Sequence, residues 1–510
     1  MDEWLSGLLR KKSTLYFLLA LPVILLFSSS IGFGFSPLDE QWMILKNKTY
    51  LEDWSNVLNS FSKGLAEHYY RPLFMGSLIF DYHFSELSPK AYHVMNVVWH
   101  LACVVLFYHL LLSFGIKQNK AFVLTLLFSF HPMVHAVAWV PGRNDLMLCF
   151  FSLLNIYSLR RYLSAPRPLP LIVYFLSLFA ALFTKETAVV LPFISLVMIL
   201  SLKHSLTKVT SYALIVAGFL IFIVWNFIRL NSVVAMPVGL DGILARGLVF
   251  TKVFIVYLGK SIFPFQQSLY PTLNNTNWAL YLIPILILGG CVYKFGFEDK
   301  KVMLLSLLSF AMIAFIPSWF ATTKGSSEFY EHRVYSALPW LLLFIGNIRF
   351  DLNHKMTRNA LLILLLFFAV KSYSRLKHYK DKSTFSITGM KESPDFYLFF
   401  QTQGEVEYAN QNVRQALALF TKAIALRPDK AELYSNRGSA YFTLGDYNAA
   451  INDYSEAIKK AGMRREFVLN RCIAYTKVNN KKAAMEDYNF LKGCCNEIIP
   501  QSLHDKLKGQ

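Results

Sequence analysis

Between residues 15 and 370 the chain keeps returning to long apolar runs separated by short polar or basic turns. With 55% hydrophobic and 16% aromatic residues in 510, there is far more apolar surface than a soluble core of this size can bury. Inside lipid every backbone N–H and C=O must be bonded within the segment, and runs of this length meet that demand as helices. The formal net charge is +19, and in such a chain excess Lys and Arg belongs first to cytoplasmic loops. No dense basic run interleaved with aromatics stands in a polar segment, so no nucleic-acid partner is expected. The six cysteines form no CxxC pair, and Cys103, Cys149 and Cys291 fall in apolar runs as small core residues.

Arg10, Lys11 and Lys12 before the run at 15–27 predict a signal anchor with a cytoplasmic N-terminus; Ser28–Ser30 also suit cleavage, and both options leave the next loop outside. That loop, 35–93, carries the acid pair Asp39-Glu40 and a stretch at 72–84 patterned as an interfacial helix. Further spans are predicted at 94–114, 122–139, after Asp145 to Arg160, 169–183, 188–202 and 212–228. Those at 281–293, 302–320, 334–348 and 360–370 follow, about eleven in all. The run at 247–265 contains Lys252 and Lys260 and is read as re-entrant or interfacial, because counting it as a span would put the basic 294–301 loop outside.

Composition changes after residue 370, and a linker is expected at 381–394. Beyond it Asn436-Arg437 recurs as Asn470-Arg471, Ala440-Tyr441 as Ala474-Tyr475, and Asp453-Tyr454 as Asp487-Tyr488, a period of 34. Ala416, Ala450 and Ala484 are in step. This is the tetratricopeptide-repeat length, predicting three helix pairs at about 395–428, 429–462 and 463–496 and a tail at 497–510. Such a stack binds a peptide in its groove or serves as a rigid support. Cys472, Cys494 and Cys495 lie there, and an oxidising compartment would allow one bridge. The fold class is therefore all-α: a polytopic membrane bundle over 1–380, then a soluble α-solenoid.

The predicted topology gathers ionisable residues at the non-cytoplasmic face: Asp39, Glu40, Arg71, His131, His135, Arg143, Asp145, Lys185, Glu186, Arg333 and Tyr335. Arg71, Arg143, Lys185 and Arg333 suit a phosphate. A carboxylate of the pair Asp39-Glu40 can take a proton from a hydroxyl, hold a cation, or simply sit in water. His131 and His135, four apart, share a helix face; with no evident third ligand they read as hydrogen-bonding histidines, not as a metal site. No Gly-rich phosphate loop is evident and no cofactor is expected.

Taken in order, Asp39-Glu40, Tyr70-Arg71-Pro72-Leu73, Tyr92-His93-Val94-Met95-Asn96 with His100, His131-Pro132-Met133-Val134-His135, Gly142-Arg143-Asn144-Asp145, Lys185-Glu186 and Arg333-Val334-Tyr335 form a pattern. Together with the repeats, it resembles the transmembrane and tetratricopeptide-repeat O-mannosyltransferases and their bacterial relatives, within the GT-C glycosyltransferase superfamily. The resemblance implies a polyprenyl-phosphate sugar donor, a first-loop acid as base, and inverting transfer of a mannose-like sugar to a hydroxyl of a protein or glycan outside the cytoplasm. Family members usually carry two first-loop acids, often both Asp; here the second is Glu40, which favours Asp39 as the base. Three repeats are fewer than is typical, which weakens the case for a folded acceptor domain in the groove. The Lys, Phe and Asn content favours a bacterial inner membrane over the endoplasmic reticulum. Two rival readings are a lipid-linked sugar flippase, for which no internal membrane repeat is visible, and a non-enzymatic repeat scaffold.

Overall fold

Prolines start many of the helices, where the fixed φ suits the first turn and the missing N–H breaks no bond. A computed structural model of the chain describes residues 9, 11–62, 64, 69–202, 204–233, 240–320 and 330–495, with backbone alone at 240–246, 248, 315–320 and 495. Arg10, Lys203 and the 497–510 tail lie outside the described residues. Helices α1 (Lys12–Phe27), α2 (Pro72–Ser85), α3 (Pro89–Ser113), α4 (Gln118–Phe130), α5 (Arg143–Ser164), α6 (Pro168–Thr184) and α7 (Leu191–Ser201) come first. They are followed by α8 (Lys208–Ser232), α9 (Leu240–Ile262), α10 (Leu282–Phe295), α11 (Lys300–Phe320), α12 (Leu338–Gly346) and α13 (Lys355–Leu376). Among the described residues there is no β-strand. The chain divides into two compact units, 1–381 and 382–510.

Among the described residues of the first unit, five helices are long and apolar enough to cross a membrane: Lys12–Gly32, Pro89–Ser113, Lys208–Ser232, Trp278–Phe295 and Lys355–Tyr379. The expected span at 122–139 is instead broken at His131, where α4 gives way to a 3₁₀ helix over Pro132–Ala138, bent by 59°. Pro132 has no N–H to continue the α-helical ladder. The expected span at 334–348 is also corrected. Its helix, α12, has 9 residues, about 13 Å of rise against a hydrocarbon core of about 30 Å. It can be short because nearly all of it is buried in protein rather than facing lipid. The expected re-entrant run at 247–265 is a continuous helix as far as Ile262. Lys260, one of the two lysines behind that reading, is buried in an ion pair with Glu331.

The first loop is a folded cap. Met43, Ile44 and Leu51 pack with Phe74, Leu78, Ile79 and Tyr82 of α2, and with Tyr92 and Val140. Phe80 and Phe84, one turn apart, remain exposed on the other face of α2, their ring centroids 4.7 Å apart. That division fits a helix lying at a membrane surface.

The second unit begins with α14 (Lys382–Glu392) inside the stretch expected as a linker. Three helix pairs follow: α15 (Tyr397–Ala409) with α16 (Val413–Leu426), α17 (Ala431–Thr443) with α18 (Tyr447–Ala461), and α19 (Arg465–Lys477) with α20 (Lys481–Cys495). The linker reading missed α14 because its pattern carries no repeat signature; Phe385 and Gly389 pack against Phe399 of α15. A Cβ at Gly404 would lie 2.6 Å from the Phe420 ring, and one at Gly438 would lie 3.0 Å from Tyr454. The small residue thus lets the paired helices approach, and Cys472 fills the third position, its buried thiol donating to the Ala484 carbonyl. Bidentate pairs tie the helices of two repeats: Arg437 with Asp453, both contacts 2.8 Å, and Arg471 with Asp487 at 2.7 and 2.9 Å.

The turn within each pair has one left-handed residue, at the same step: Gln411 (φ 66°), Gly445 (φ 86°) and Asn479 (φ 57°). Only glycine adopts this conformation without a Cβ clash. Gln411→Gly is therefore predicted to stabilise the repeat unit by about 0.5–1 kcal/mol, and Gly445→Ala to destabilise it by about 1 kcal/mol. Urea denaturation of residues 382–510 checks both signs.

Candidate functional site

The break at His131–Pro132, the start of α5, the α6–α7 turn, the first-loop cap and the 3₁₀ turn at Glu331–Val334 meet at one end of the bundle. Three ion pairs join them. Lys185 Nζ lies 2.6 Å from Asp145 Oδ1 and 2.9 Å from Asn144 Oδ1. Arg71 Nε donates to Glu186 Oε2 at 2.9 Å, while Glu186 Oε1 accepts the Tyr70 amide at 3.0 Å. Glu331 receives Lys260 and the Ser268 amide. Asp145 keeps its second oxygen 4.0 Å from His332 Nε2, and the His332 ring sits 4.7 Å from that of Trp139.

The two first-loop acids are unalike. Glu40 is 1% exposed, takes the Ser36 hydroxyl, and accepts the Val140 amide at 3.1 Å. It fastens the cap to the turn before α5. Burial, partly opposed by these bonds, raises its carboxyl to about 8. Asp39 is part-exposed, and among the described residues its carboxylate accepts only the Trp42 indole N–H, at 3.1 Å. Burial raises it as well, while the Trp42 bond and the charge of Arg71 pull the other way. Asp39 is thus the carboxylate that faces the Arg71 charge and still reaches solvent.

The cations differ in the same way. Arg143 is fully buried. Its Nε donates to Asn96, Nη1 to Ser77, and Nη2 to the Tyr92 carbonyl at 2.7 Å, with Asp81 at 2.5 Å. Every nitrogen is engaged in joining α2, α3 and α5. Arg71 uses Nε on Glu186 and lies 4.4 Å from the centroid of the Tyr69 ring, leaving its Nη groups without a hydrogen bond among the described residues. Arg333 is half-buried, 5.0 Å from the Tyr330 ring centroid. Tyr335 is buried, its hydroxyl 2.7 Å from His100 Nδ1.

His131 and His135 do not share an α-helical face, because His131 caps the 3₁₀ helix: its Nδ1 accepts the Met133 amide at 3.2 Å. Its Nε2 lies 3.0 Å from the Ser261 carbonyl, whereas His135 stacks on Tyr379. Among the described residues no group of three His, Cys, Asp or Glu is placed to hold a metal ion. Sequence reasoning missed Asp81 and the Lys260–Glu331 pair, whose partners lie 62 and 71 positions apart; only the burial of one charge demands the other.

Two outcomes are expected. Arg143→Ala should cost about 3–5 kcal/mol by stranding Asp81 in the core, partly recovered by adding Asp81→Asn, as read from thermal unfolding in detergent. For Glu40, the folded protein keeps a proton from about pH 4.5 to about 8 that the unfolded chain has released, so stability falls as pH rises through that window and levels off above it. Glu40→Gln mimics the protonated carboxyl and should flatten this fall when unfolding is followed from about pH 5 to 9.

The tetratricopeptide repeat family matches residues 402–464. Protein O-mannosyl-transferase TMTC1 of Homo sapiens is 31% identical over 172 residues, 30% of this chain and 20% of that protein. Protein O-mannosyl-transferase F38B6.6 of Caenorhabditis elegans is 25% identical over 390 residues, 72% of this chain and 55% of that protein. Protein O-mannosyl-transferase TMTC3 of Homo sapiens is 33% identical over 93 residues, 18% of this chain and 10% of that protein. The chain thus matches about half the length of the C. elegans relative and a fifth or less of these human ones. It carries tetratricopeptide repeats and is homologous to proteins named protein O-mannosyl-transferases.

Proposed function

We propose that the chain is a membrane glycosyltransferase that moves a mannose-like sugar from a polyprenyl phosphate to a hydroxyl of a protein or glycan acceptor on the non-cytoplasmic face. The observation that carries this reading is a part-exposed acid, Asp39, that feels the charge of Arg71, a cation whose Nη groups make no hydrogen bond among the described residues, at the end of the bundle where Lys185 and Arg333 also lie. Asp39 takes the proton of the acceptor hydroxyl as its oxygen bonds to the anomeric carbon. On the opposite face the bond from that carbon to the phosphate oxygen breaks, and the phosphate leaves with the electron pair. The configuration inverts in this single displacement. A phosphate leaving group needs no strong acid but does need positive charge nearby, and Arg71, Lys185 and Arg333 supply it.

Within this reading Glu40 and Arg143 are positioning residues: one fastens the cap, the other anchors α2 to the start of α5. Lys185 is held by Asp145 and Asn144, with His332 behind. Glu186 fixes the turn from which Arg71 projects.

Membranes containing the protein, supplied with radiolabelled polyprenyl-phosphate mannose and acceptor extract, are expected to move label from lipid to acceptor. Asp39→Asn, at matched expression, should lower this about 10²–10⁴-fold, the usual weight of a general base. Equal transfer by wild type and Asp39→Asn would remove Asp39 from the mechanism, and no transfer by either would favour the scaffold or the flippase.

A further inference from the structure

At the far ends of α3, α5 and α6 a cavity of about 180 Å³ is lined by Ser113, Arg160, Arg161, Ser164, Arg167 and Pro170. Its distance from the candidate site follows from helix length. Arg143 opens α5 beside the candidate site, and Arg160 is 17 residues on (160 − 143), about 25 Å at 1.5 Å per residue. Helix α6 runs back the same way, from Pro168 at the cavity to Thr184 beside Lys185. The cavity therefore sits close to one hydrocarbon thickness from the site, at the opposite membrane face.

Solvated arginines are ordinary at such a face, and Arg161 and Arg167 are exposed, but together with the half-buried Arg160 they line one cavity between helices. Arg160 is half-buried, its Nε donating to the Ser113 carbonyl at 3.2 Å and its guanidinium 5.7 Å from the Phe114 ring centroid. None of the three arginines has an ion-pair partner among the described residues; Asp299 is the acid whose charge bears on Arg160. Pro168 and Pro170 carry no N–H, so the start of α6 offers an anion few amides, and the guanidinium groups are left to recognise it. From the rim, Leu169, Ile172 and Leu176 form an exposed apolar stripe along α6, 69%, 53% and 63% accessible.

We propose that this cavity binds a phosphate group, carried by the headgroup of an anionic membrane lipid whose acyl chains lie along the Leu169–Ile172–Leu176 stripe. Guanidinium forks match phosphate oxygens in geometry and charge, and basic pockets between membrane helices take such headgroups. The site is independent of the transfer reaction proposed above.

The test uses full-length protein in neutral detergent, titrated with phosphatidylglycerol, phosphatidylcholine or inorganic phosphate, with the thermal midpoint and lipid retention in native mass spectrometry as readouts. Arg161→Gln/Arg167→Gln is compared with Lys355→Gln/Arg358→Gln, which removes the same charge at the start of α13. Phosphatidylglycerol is expected to raise the midpoint and stay bound, and phosphatidylcholine to do neither. The first double variant should weaken the apparent affinity about tenfold or more, with the second leaving it within about twofold. Equal weakening in both variants, or no response of the wild type, would overturn the site. An equal shift with inorganic phosphate alone would overturn the lipid assignment and leave a soluble phosphate ligand.

Discussion

The cost of placing an ion in an apolar bundle organises this structure. A lone buried charge is worth several kcal/mol of instability, so each must find an opposite partner or a set of dipoles. Lys185 has Asp145, Arg143 has Asp81, Lys260 has Glu331, and Arg71 has Glu186. The partners come from different helices and turns, so satisfying the charges also fixes the relative placement of those elements. The cap with α2, the start of α5, the turn between α6 and α7, and the 3₁₀ turn at Glu331–Val334 with α9 are tied to their neighbours through these pairs. Such pairs are weak contributors to net stability but strong constraints on geometry, since losing one member leaves the other stranded.

The same constraint separates two kinds of polar residue at one end of the bundle. Arg143 and Glu40 are saturated by internal partners and act as fasteners. Asp39 and the outer nitrogens of Arg71 are less committed, and chemistry on a substrate requires groups in that condition. Sequence position does not distinguish these kinds, as Asp39 and Glu40 are neighbours.

Much of the repeat unit was legible from sequence because its contacts are local. A period of 34, small residues at 404 and 438, and Arg–Asp spacings of 16 all report on neighbours within one hairpin. In the membrane unit, apolar runs announced helices but not their ends. Pro132 bent one predicted span, and burial let α12 stop far short of another. The charge of Lys260 was visible in the sequence, but not its buried partner Glu331, 71 positions later. The gathering of Asp39, Arg71, Asp145, Lys185 and Glu186 followed from counting turns. Which of them would be saturated did not, because that depends on Asp81, Asn96 and the carbonyl of Tyr92.

Where the second and third repeats place Arg437 and Arg471, the first has Gln403, and Leu419 stands where its aspartate would be. Gln403 turns instead to α14, accepting the Ser386 hydroxyl at 2.7 Å. The first repeat is thereby keyed to a helix that is not itself a repeat. Duplicating a hairpin ahead of α15 would break that key and set a half-buried arginine position against Ser386. Copying one after α15 and α16 would add another Arg–Asp unit like the two already there. An added repeat keeps the Ser386–Gln403 contact on one side of the first hairpin and loses it on the other.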